Sequence, residues 1–202
     1  MEKKRRCKMK LRVIAMILCV FCCSKLCYAL SEQEHSDKVM GFVEQERYQE
    51  ALIAAEELVE QFSESIKAKG LRVHVLGLKG DFEVAKQQAQ SIISSCPQPI
   101  TDDEKDAVVM AHSTISNIYV KQGRIMDAIK ETEAALKIKP DSEILLWLAA
   151  VTYSQVGMYE KAREKANRLI EIGGKGESKG IMAGYARQLL QKIESSTSPV
   201  PK

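Results

Sequence analysis

Side chains that commonly perform catalysis are few in this sequence, and their spacing matches no active-site pattern. The three histidines, His35, His74 and His112, are far apart, and none has a cysteine or a second histidine at the short spacing of metal ligands. Cys96 is the only cysteine after residue 29, so no internal disulfide can form in that part of the chain. We therefore predict a non-enzymatic protein with no cofactor and no metal site.

Two segments resemble chemical motifs, but simpler structural explanations fit them better. The segment GGKGESKG (173–180) lacks the spacing of a phosphate-binding loop and follows no strand pattern, so we interpret it as a linker. The acidic triplet Asp102, Asp103 and Glu104 begins a predicted helix, where carboxylates interact favourably with the helix dipole. Metal binding by this acidic triplet is the less favoured alternative to the helix-dipole interpretation. Thr101 and Glu104 have the spacing of a capping box, which predicts that this helix begins near Asp102.

Composition and charge exclude several classes of protein. The 202 residues include 45% hydrophobic side chains, which is too many for an intrinsically disordered chain. Aromatic residues make up 5%, and glycine and proline are few, which argues against a sandwich or barrel of many short strands. Residues 1–29 contain eight basic residues and one acidic residue, which leaves 22 basic and 26 acidic residues in the remainder. A mildly acidic body predicts no nucleic-acid partner.

The first 29 residues have the pattern of a secretory signal peptide. A basic segment precedes an apolar run of eleven residues, Val13 to Cys23, and the segment ends with the small residue Ala29. We predict cleavage after Ala29 and a periplasmic or extracellular protein, in contact with the membrane only through this segment. The run is shorter than the roughly 17–25 residues of a membrane helix, and a retained anchor through residues 13–23 is the alternative. A bacterial lipoprotein signal is a third interpretation, which fits less well because Leu18, Phe21 and Leu26 precede cysteines where a small residue is usual.

Four similar stretches follow along the chain. They begin at Glu46, Gly80, Gly123 and Gly157, and each has a large apolar or aromatic residue two positions later. Five positions after each start is an alanine: Ala51, Ala85, Ala128 and Ala162. These alanines are 34, 43 and 34 residues apart, so the period is 34 residues with nine residues inserted once. Internal repetition at this period indicates stacked helix-turn-helix units.

The repeated stretches resemble the tetratricopeptide repeat. In the third stretch, the family's Tyr, Gly, Ala, Ala and Pro are matched by Tyr119, Gly123, Ala128, Ala135 and Pro140. The first stretch departs most, with Glu46 at the glycine position. The resemblance implies an all-α fold, a right-handed superhelical solenoid of about four helix-turn-helix units with a C-terminal capping helix.

The predicted organisation follows from this register. The segments are a signal peptide (1–29), a repeat region (30–176) with units at 32–65, 66–99, 109–142 and 143–176, an insert (100–108), a capping helix (177–194) and a disordered tail (195–202). In the capping helix, Ile181, Tyr185, Leu189 and Ile193 recur every four residues and mark the expected apolar face. A detachable docking helix is the alternative to the cap.

The resemblance also implies a concave groove lined by the first helix of each unit. Transferring the family's groove positions gives these candidate peptide-binding residues: His74, Ser113, Asn117, Lys121, Trp147, Val151 and Ser154. We expect one patch across two adjacent first helices, formed by Asn117, Lys121, Trp147, Val151 and Ser154. Asn117 would bond a peptide backbone, and Trp147 would anchor a side chain, although a structural tryptophan is the alternative. Chaperone-binding members of the family have a carboxylate clamp, a set of side chains that binds a carboxylate. Asn117 is the one residue of that set that this sequence matches, so we expect no such clamp.

The resemblance predicts a scaffold that binds a protein segment of unknown identity, in an envelope, secretion or pilus assembly. An accessory module for an enzyme or a cell-wall polymer is an alternative. A self-assembling coat, and therefore a homo-oligomer, is a third.

Overall fold

A computed structural model describes residues 32–96, 98, 101–173 and 180–197. These residues form nine α-helices and no strand, as the repeat pattern predicts. The predicted signal peptide and most of the predicted linker lie outside the described residues.

The helices are joined by short connections. Their bounds are 32–44 (α1), Tyr48–Gln61 (α2), Ile66–Lys79 (α3), Phe82–Ser95 (α4), Asp102–Lys121 (α5), Ile125–Ile138 (α6), Glu143–Gln155 (α7), Tyr159–Ile172 (α8) and Ile181–Thr197 (α9). The chain divides into two compact units, residues 1–63 and 64–202. The first contains α1 and α2, and the second contains α3 to α9.

Within each helix pair, a residue in the left-handed conformation ends the first helix. Gly80, Gly123 and Gly157 have φ values of 103°, 72° and 74°, and Glu46 adopts a φ of 57° at the equivalent point. The next amide then donates to a carbonyl five residues earlier, as Arg124 N does to Tyr119 O at 2.8 Å. Glycine adopts this conformation without the steric penalty that a Cβ causes. The turn therefore has the same backbone geometry in all four pairs.

The repeated alanines are fully buried among the packed helices. Ala51, Ala85, Ala128 and Ala162 have no exposed surface. In the second unit, α3 and α4 pack against α5, and α7 and α8 pack against α9. A residue as small as alanine lets two helix backbones approach, and the larger side chains around it then fill the remaining volume.

The helix α5 begins inside the segment predicted as an insert. It starts at Asp102, and the capping box is present: Thr101 Oγ1 accepts from Glu104 N at 3.2 Å, and Glu104 Oε2 accepts from Thr101 N at 2.9 Å. Both the capping box and the early helix start are thus confirmed. The added turns are buried against α3 and α4, because Ala107, Val108 and Ala111 are at most 2% exposed.

The helix α9 differs from its prediction in two respects. Its buried residues are Ala183, Ala186 and Ile193, whereas Ile181 and Tyr185 are 62% and 47% exposed. The expected apolar face was therefore wrong at its first two positions. The helix also continues to Thr197, so three residues of the predicted disordered tail are helical. The hydroxyls of Ser195 and Ser196 both donate to Lys192 O at 2.8 Å, within the last turns of this helix.

Candidate peptide-binding site

A cavity of about 170 Å³ lies between the first helices of two successive pairs, α3 and α5. Its lining residues are His74, Gly77, Leu78, Thr114, Asn117, Val120 and Lys121. Three of the seven predicted groove residues, His74, Asn117 and Lys121, therefore line one cavity. The repeat register places them on one face of these helices, since Asn117 and Lys121 are four residues apart on α5.

His74 forms one wall of this cavity. Its imidazole is half-buried, and burial lowers the pKa of His74 below its ordinary value because desolvation disfavours the charged ring. Burial thus favours the neutral ring, which has one N–H donor and one nitrogen acceptor.

Asn117 and Lys121 form the exposed edge of the cavity. Both side chains are exposed, and neither forms a hydrogen bond or an ion pair with another described residue. The Lys121 ammonium lies 5.4 Å from the centre of the Phe82 ring, at the start of α4. This cation–π contact positions the charge without neutralising it.

Thr114 is a lining residue that the sequence analysis missed. It is 2% exposed, and its hydroxyl has no hydrogen-bond partner among the described residues. Buried hydroxyls in helices usually donate to a carbonyl one turn earlier, as Thr152 Oγ1 does to Leu148 O at 2.8 Å. No sequence signal separates Thr114 from such residues, because the pairing of a hydroxyl depends on its rotamer.

Gly77 lets the two helices approach at the cavity. A Cβ at this position would lie 2.6 Å from Thr114 Cγ2, which is closer than nonbonded carbon atoms can stand. The lack of a side chain at Gly77 therefore brings α3 to the face of α5 that carries Thr114 and Asn117.

The other predicted groove residues lie outside the lining of this cavity. The Ser113 hydroxyl donates to Val109 O at 2.7 Å, so its proton is used within α5. Val151 and Ser154 are half-buried on α7. The patch that joins them to Asn117 and Lys121 stays a prediction, and the cavity pairs α5 with α3 instead.

Trp147 is half-buried and packs against the core formed by α6 to α9. Its ring centre lies 5.8 Å from that of Tyr185 on α9. Trp147 therefore contributes to this core, and its role as a peptide anchor stays a prediction. Ile144, three residues before Trp147 on α7, is 69% exposed, and Ile181, four residues before Tyr185 on α9, is 62% exposed.

A second cavity of about 390 Å³ lies among α6, α7 and α8. It is larger, and most of its charges are paired, although the exposed Lys137 in its lining has no ion-pair partner among the described residues. Lys165 Nζ lies 3.0 Å from Glu133 Oε1, which also accepts from the Tyr153 hydroxyl at 3.0 Å. Arg168 Nη2 lies 2.7 Å from Asp141 Oδ1. These ion pairs and this hydrogen bond occupy the charged groups of Glu133, Asp141, Lys165 and Arg168.

His112, interpreted from the sequence as a packing histidine, has a polar partner. Its Nδ1 lies 2.7 Å from Glu131 Oε2 on α6. Cys96 ends α4 as a half-buried free thiol against the core of α3 to α5. Within the described ranges, no group of three His, Cys, Asp or Glu side chains is arranged to hold a metal ion. Nor is any described helix long and apolar enough to cross a membrane.

Known proteins resemble this chain in fold. No family model and no curated protein matches the sequence. Among solved structures, a tetratricopeptide repeat protein from Parabacteroides merdae aligns with a TM-score of 0.54 and 15% identity, over 82% of this chain and 61% of the other. MamA from Desulfovibrio magneticus RS-1 aligns with a TM-score of 0.51 and 13% identity, over 83% and 97%.

A third similar structure is Naa15/Naa10 bound to HypK, with a TM-score of 0.57 and 19% identity, over 84% of this chain and 26% of the other. The chain thus spans less than two thirds of the Parabacteroides merdae protein and of the Naa15/Naa10 structure, and nearly all of MamA. Together with the repeated turn and the buried alanines, these likenesses establish an all-α fold of the tetratricopeptide-repeat type.

Proposed function

We propose that this protein is a non-enzymatic scaffold that binds an extended protein segment along the face formed by α3 and α5. The observation that carries the proposal is the cavity between these helices, in which polar side chains have no partner among the described residues. Asn117 and Lys121 are exposed at its edge, and Thr114 is buried in its wall. A peptide backbone would give the Asn117 amide both a donor and an acceptor.

The fold supports this proposal. A stack of helix pairs presents successive first helices side by side, and an extended segment can contact several of them. The similar structure of Naa15/Naa10 is a complex with HypK, so one protein of this fold has a protein partner. Two of the three unpaired groups, those of Asn117 and Lys121, belong to residues predicted to line the groove.

We further propose that the scaffold is exported and acts in an envelope, secretion or pilus assembly. This part rests on the N-terminal sequence alone, and cleavage after Ala29 would leave 173 residues. N-terminal sequencing of the protein from the cell-envelope fraction tests it. An N-terminus at Leu30 is expected, and an intact Met1 would contradict cleavage.

The binding proposal is tested by mild cross-linking in cells, followed by purification of the protein and identification of what is attached. The variants Asn117→Ala and Lys121→Ala should reduce recovery of a specific partner. Both residues are exposed, so circular dichroism should show an unchanged helical signal. Gln87→Ala, an exposed change on α4, is the matched control. Equal recovery from all variants would place the binding surface elsewhere.

A further inference from the structure

The cavity among α6, α7 and α8 shares no lining residue with the cavity between α3 and α5. It is lined mainly by α6 and α8, the second helices of their pairs, and by the connection that contains Pro140 and Asp141. The predicted groove uses first helices instead. A ligand in this cavity would therefore leave the face formed by α3 and α5 free, so the inference is independent of the proposed function.

Two charged groups of this cavity remain available to a ligand. Lys137 on α6 is exposed and has no ion-pair partner among the described residues. The side chain of Glu164 on α8 is 71% exposed, and its carboxylate lies 3.8 Å from Lys165 Nζ. Glu133 binds the same Lys165 ammonium more closely, at 3.0 Å. One positive and one negative group are therefore available, on different helices.

The lining as a whole has no net charge. Its three acidic side chains are balanced by three basic ones: Glu133, Asp141 and Glu164 against Lys137, Lys165 and Arg168. A simple anion or cation would be attracted by one of the two available groups and repelled by the other. A zwitterion complements both groups at once.

The size and the walls of the cavity suit a small ligand with an apolar body. Its volume of about 390 Å³ is within the range of roughly 300–1,000 Å³ that small-molecule sites occupy. The surface of the lining is more apolar than polar, and Leu136, Pro140 and Leu146 belong to it. Aliphatic side chains would replace water against this surface, which is favourable.

The positions of the two available charges indicate the length of the ligand. Lys137 lies four residues after Glu133, about 6 Å further along α6, and the Glu133–Lys165 ion pair connects that helix to α8 beside Glu164. In a single amino acid, both charged groups are attached to one carbon atom. A second residue separates them by up to about 3.6 Å more, so a dipeptide spans the two charges better.

From these observations we infer that the cavity among α6, α7 and α8 binds a free dipeptide with aliphatic side chains. The carboxylate of the dipeptide forms an ion pair with Lys137, and its N-terminal ammonium forms one with Glu164. Its side chains contact the apolar part of the lining. The ligand is thus recognised by its two charged ends together.

The experiment is a titration of the purified full chain, followed by amide proton–nitrogen NMR, which measures binding and locates it. The main probe is leucyl-leucine. N-acetyl-leucyl-leucine lacks the positive charge, leucyl-leucinamide lacks the negative charge, and free leucine tests the length. Each probe is titrated against the wild type, Lys137→Gln and Glu164→Gln. Lys130→Gln on α6 and Glu160→Gln on α8 are the matched controls, since they make the same charge changes at exposed positions outside the lining.

We expect leucyl-leucine to shift the amide signals of the lining residues in a saturable way. Each of the other three probes should bind wild type about threefold more weakly, because an exposed ion pair contributes modestly. With Lys137→Gln, leucyl-leucine and leucyl-leucinamide should bind equally well, whereas acetylation should still weaken binding. Glu164→Gln should show the opposite pattern. Both controls should retain both differences.

Four results would overturn the inference. The first is the lack of saturable shifts in the lining residues, and the second is equal binding of the three dipeptide probes to the wild type. The third is a pattern of preferences that Lys137→Gln and Glu164→Gln leave unchanged. The fourth, tighter binding of leucine than of leucyl-leucine, would contradict the dipeptide assignment. None of these results bears on the scaffold function, which the variants at Asn117 and Lys121 test separately.

Discussion

Replacing Thr114 with valine should stabilise the folded protein. The two side chains have the same shape, and the substitution exchanges the hydroxyl for a methyl group. Thr114 is 2% exposed, and its hydroxyl has no partner among the described residues, so folding removes it from water without replacing its hydrogen bonds. An unsatisfied buried polar group costs about 1–3 kcal/mol, and valine avoids that cost.

We expect Thr114→Val to raise the free energy of unfolding by about 1 kcal/mol, at the lower end of that range. For a protein of this size, the melting temperature then rises by about 3 °C. Thermal melting followed by circular dichroism and a urea titration measure the two quantities. The urea titration also shows whether the m-value is unchanged, as a pure change in stability requires.

Thr132→Val is the matched control, because it makes the same chemical change at a hydroxyl that has partners. Thr132 is fully buried, its hydroxyl donates to Ala128 O at 3.0 Å, and it lies 2.7 Å from Ser116 Oγ. Losing these bonds should lower stability by about 1 kcal/mol. The two valine substitutions should therefore have opposite signs. If Thr114→Val destabilises the protein as much as Thr132→Val, the Thr114 hydroxyl is satisfied and the reasoning is wrong.

Three further perturbations test the turn, the helix packing and the charged network. Glu46→Gly should stabilise by about 0.5–1 kcal/mol in a urea titration, because Glu46 has a φ of 57° where the other pairs have glycine; a loss of stability would contradict this. Ala128→Arg should destabilise by about 3–5 kcal/mol in thermal melting, since Ala128 is fully buried, and a change under 1 kcal/mol would mean that the repeat register is misplaced. Burial, followed by the charge of Glu133, raises the pKa of Tyr153 to about 12. The neutral phenol's contribution should be complete below the unfolded pKa of about 10 and should fall by about 2–3 kcal/mol between pH 10 and 12. Tyr153→Phe should remove that part of the alkaline loss, and an identical pH profile would refute the assignment.

The fold was predictable because its determinants are local and repeat along the chain. The left-handed turn requires glycine or a strained residue, and close helix contacts require alanine, so both leave residues at fixed 34-residue spacing. The start of α5 was equally predictable from Thr101 and Glu104, since a capping box involves residues only three positions apart. Such signals do not depend on how distant helices cross.

The exposed face of α9 was not predictable from periodicity. Four apolar residues at four-residue steps drift around a helix of 3.6 residues per turn, so Ile181 and Ile193 cannot lie on the same narrow stripe. In the core shared with α7 and α8, the small residue Ala186 lies beside Ile193, and Met182, Leu189 and Leu190 pack against them, while Ala183 is also buried. A pattern search that gives weight only to large apolar residues overlooks alanine contacts.

The candidate site depends on both local and long-range features, and this explains which part of it the sequence revealed. The repeat register placed His74, Asn117 and Lys121 on first helices, but it paired Asn117 with α7 rather than with α3. The pairing with α3 follows from Gly77, where a Cβ would approach Thr114 Cγ2 to 2.6 Å. The closeness that buries the Thr114 side chain also removes its hydroxyl from water, while Asn117 and Lys121, one and two turns further along α5, stay exposed. A single glycine can thus create the buried unpaired hydroxyl on which the predicted stability gain of Thr114→Val depends.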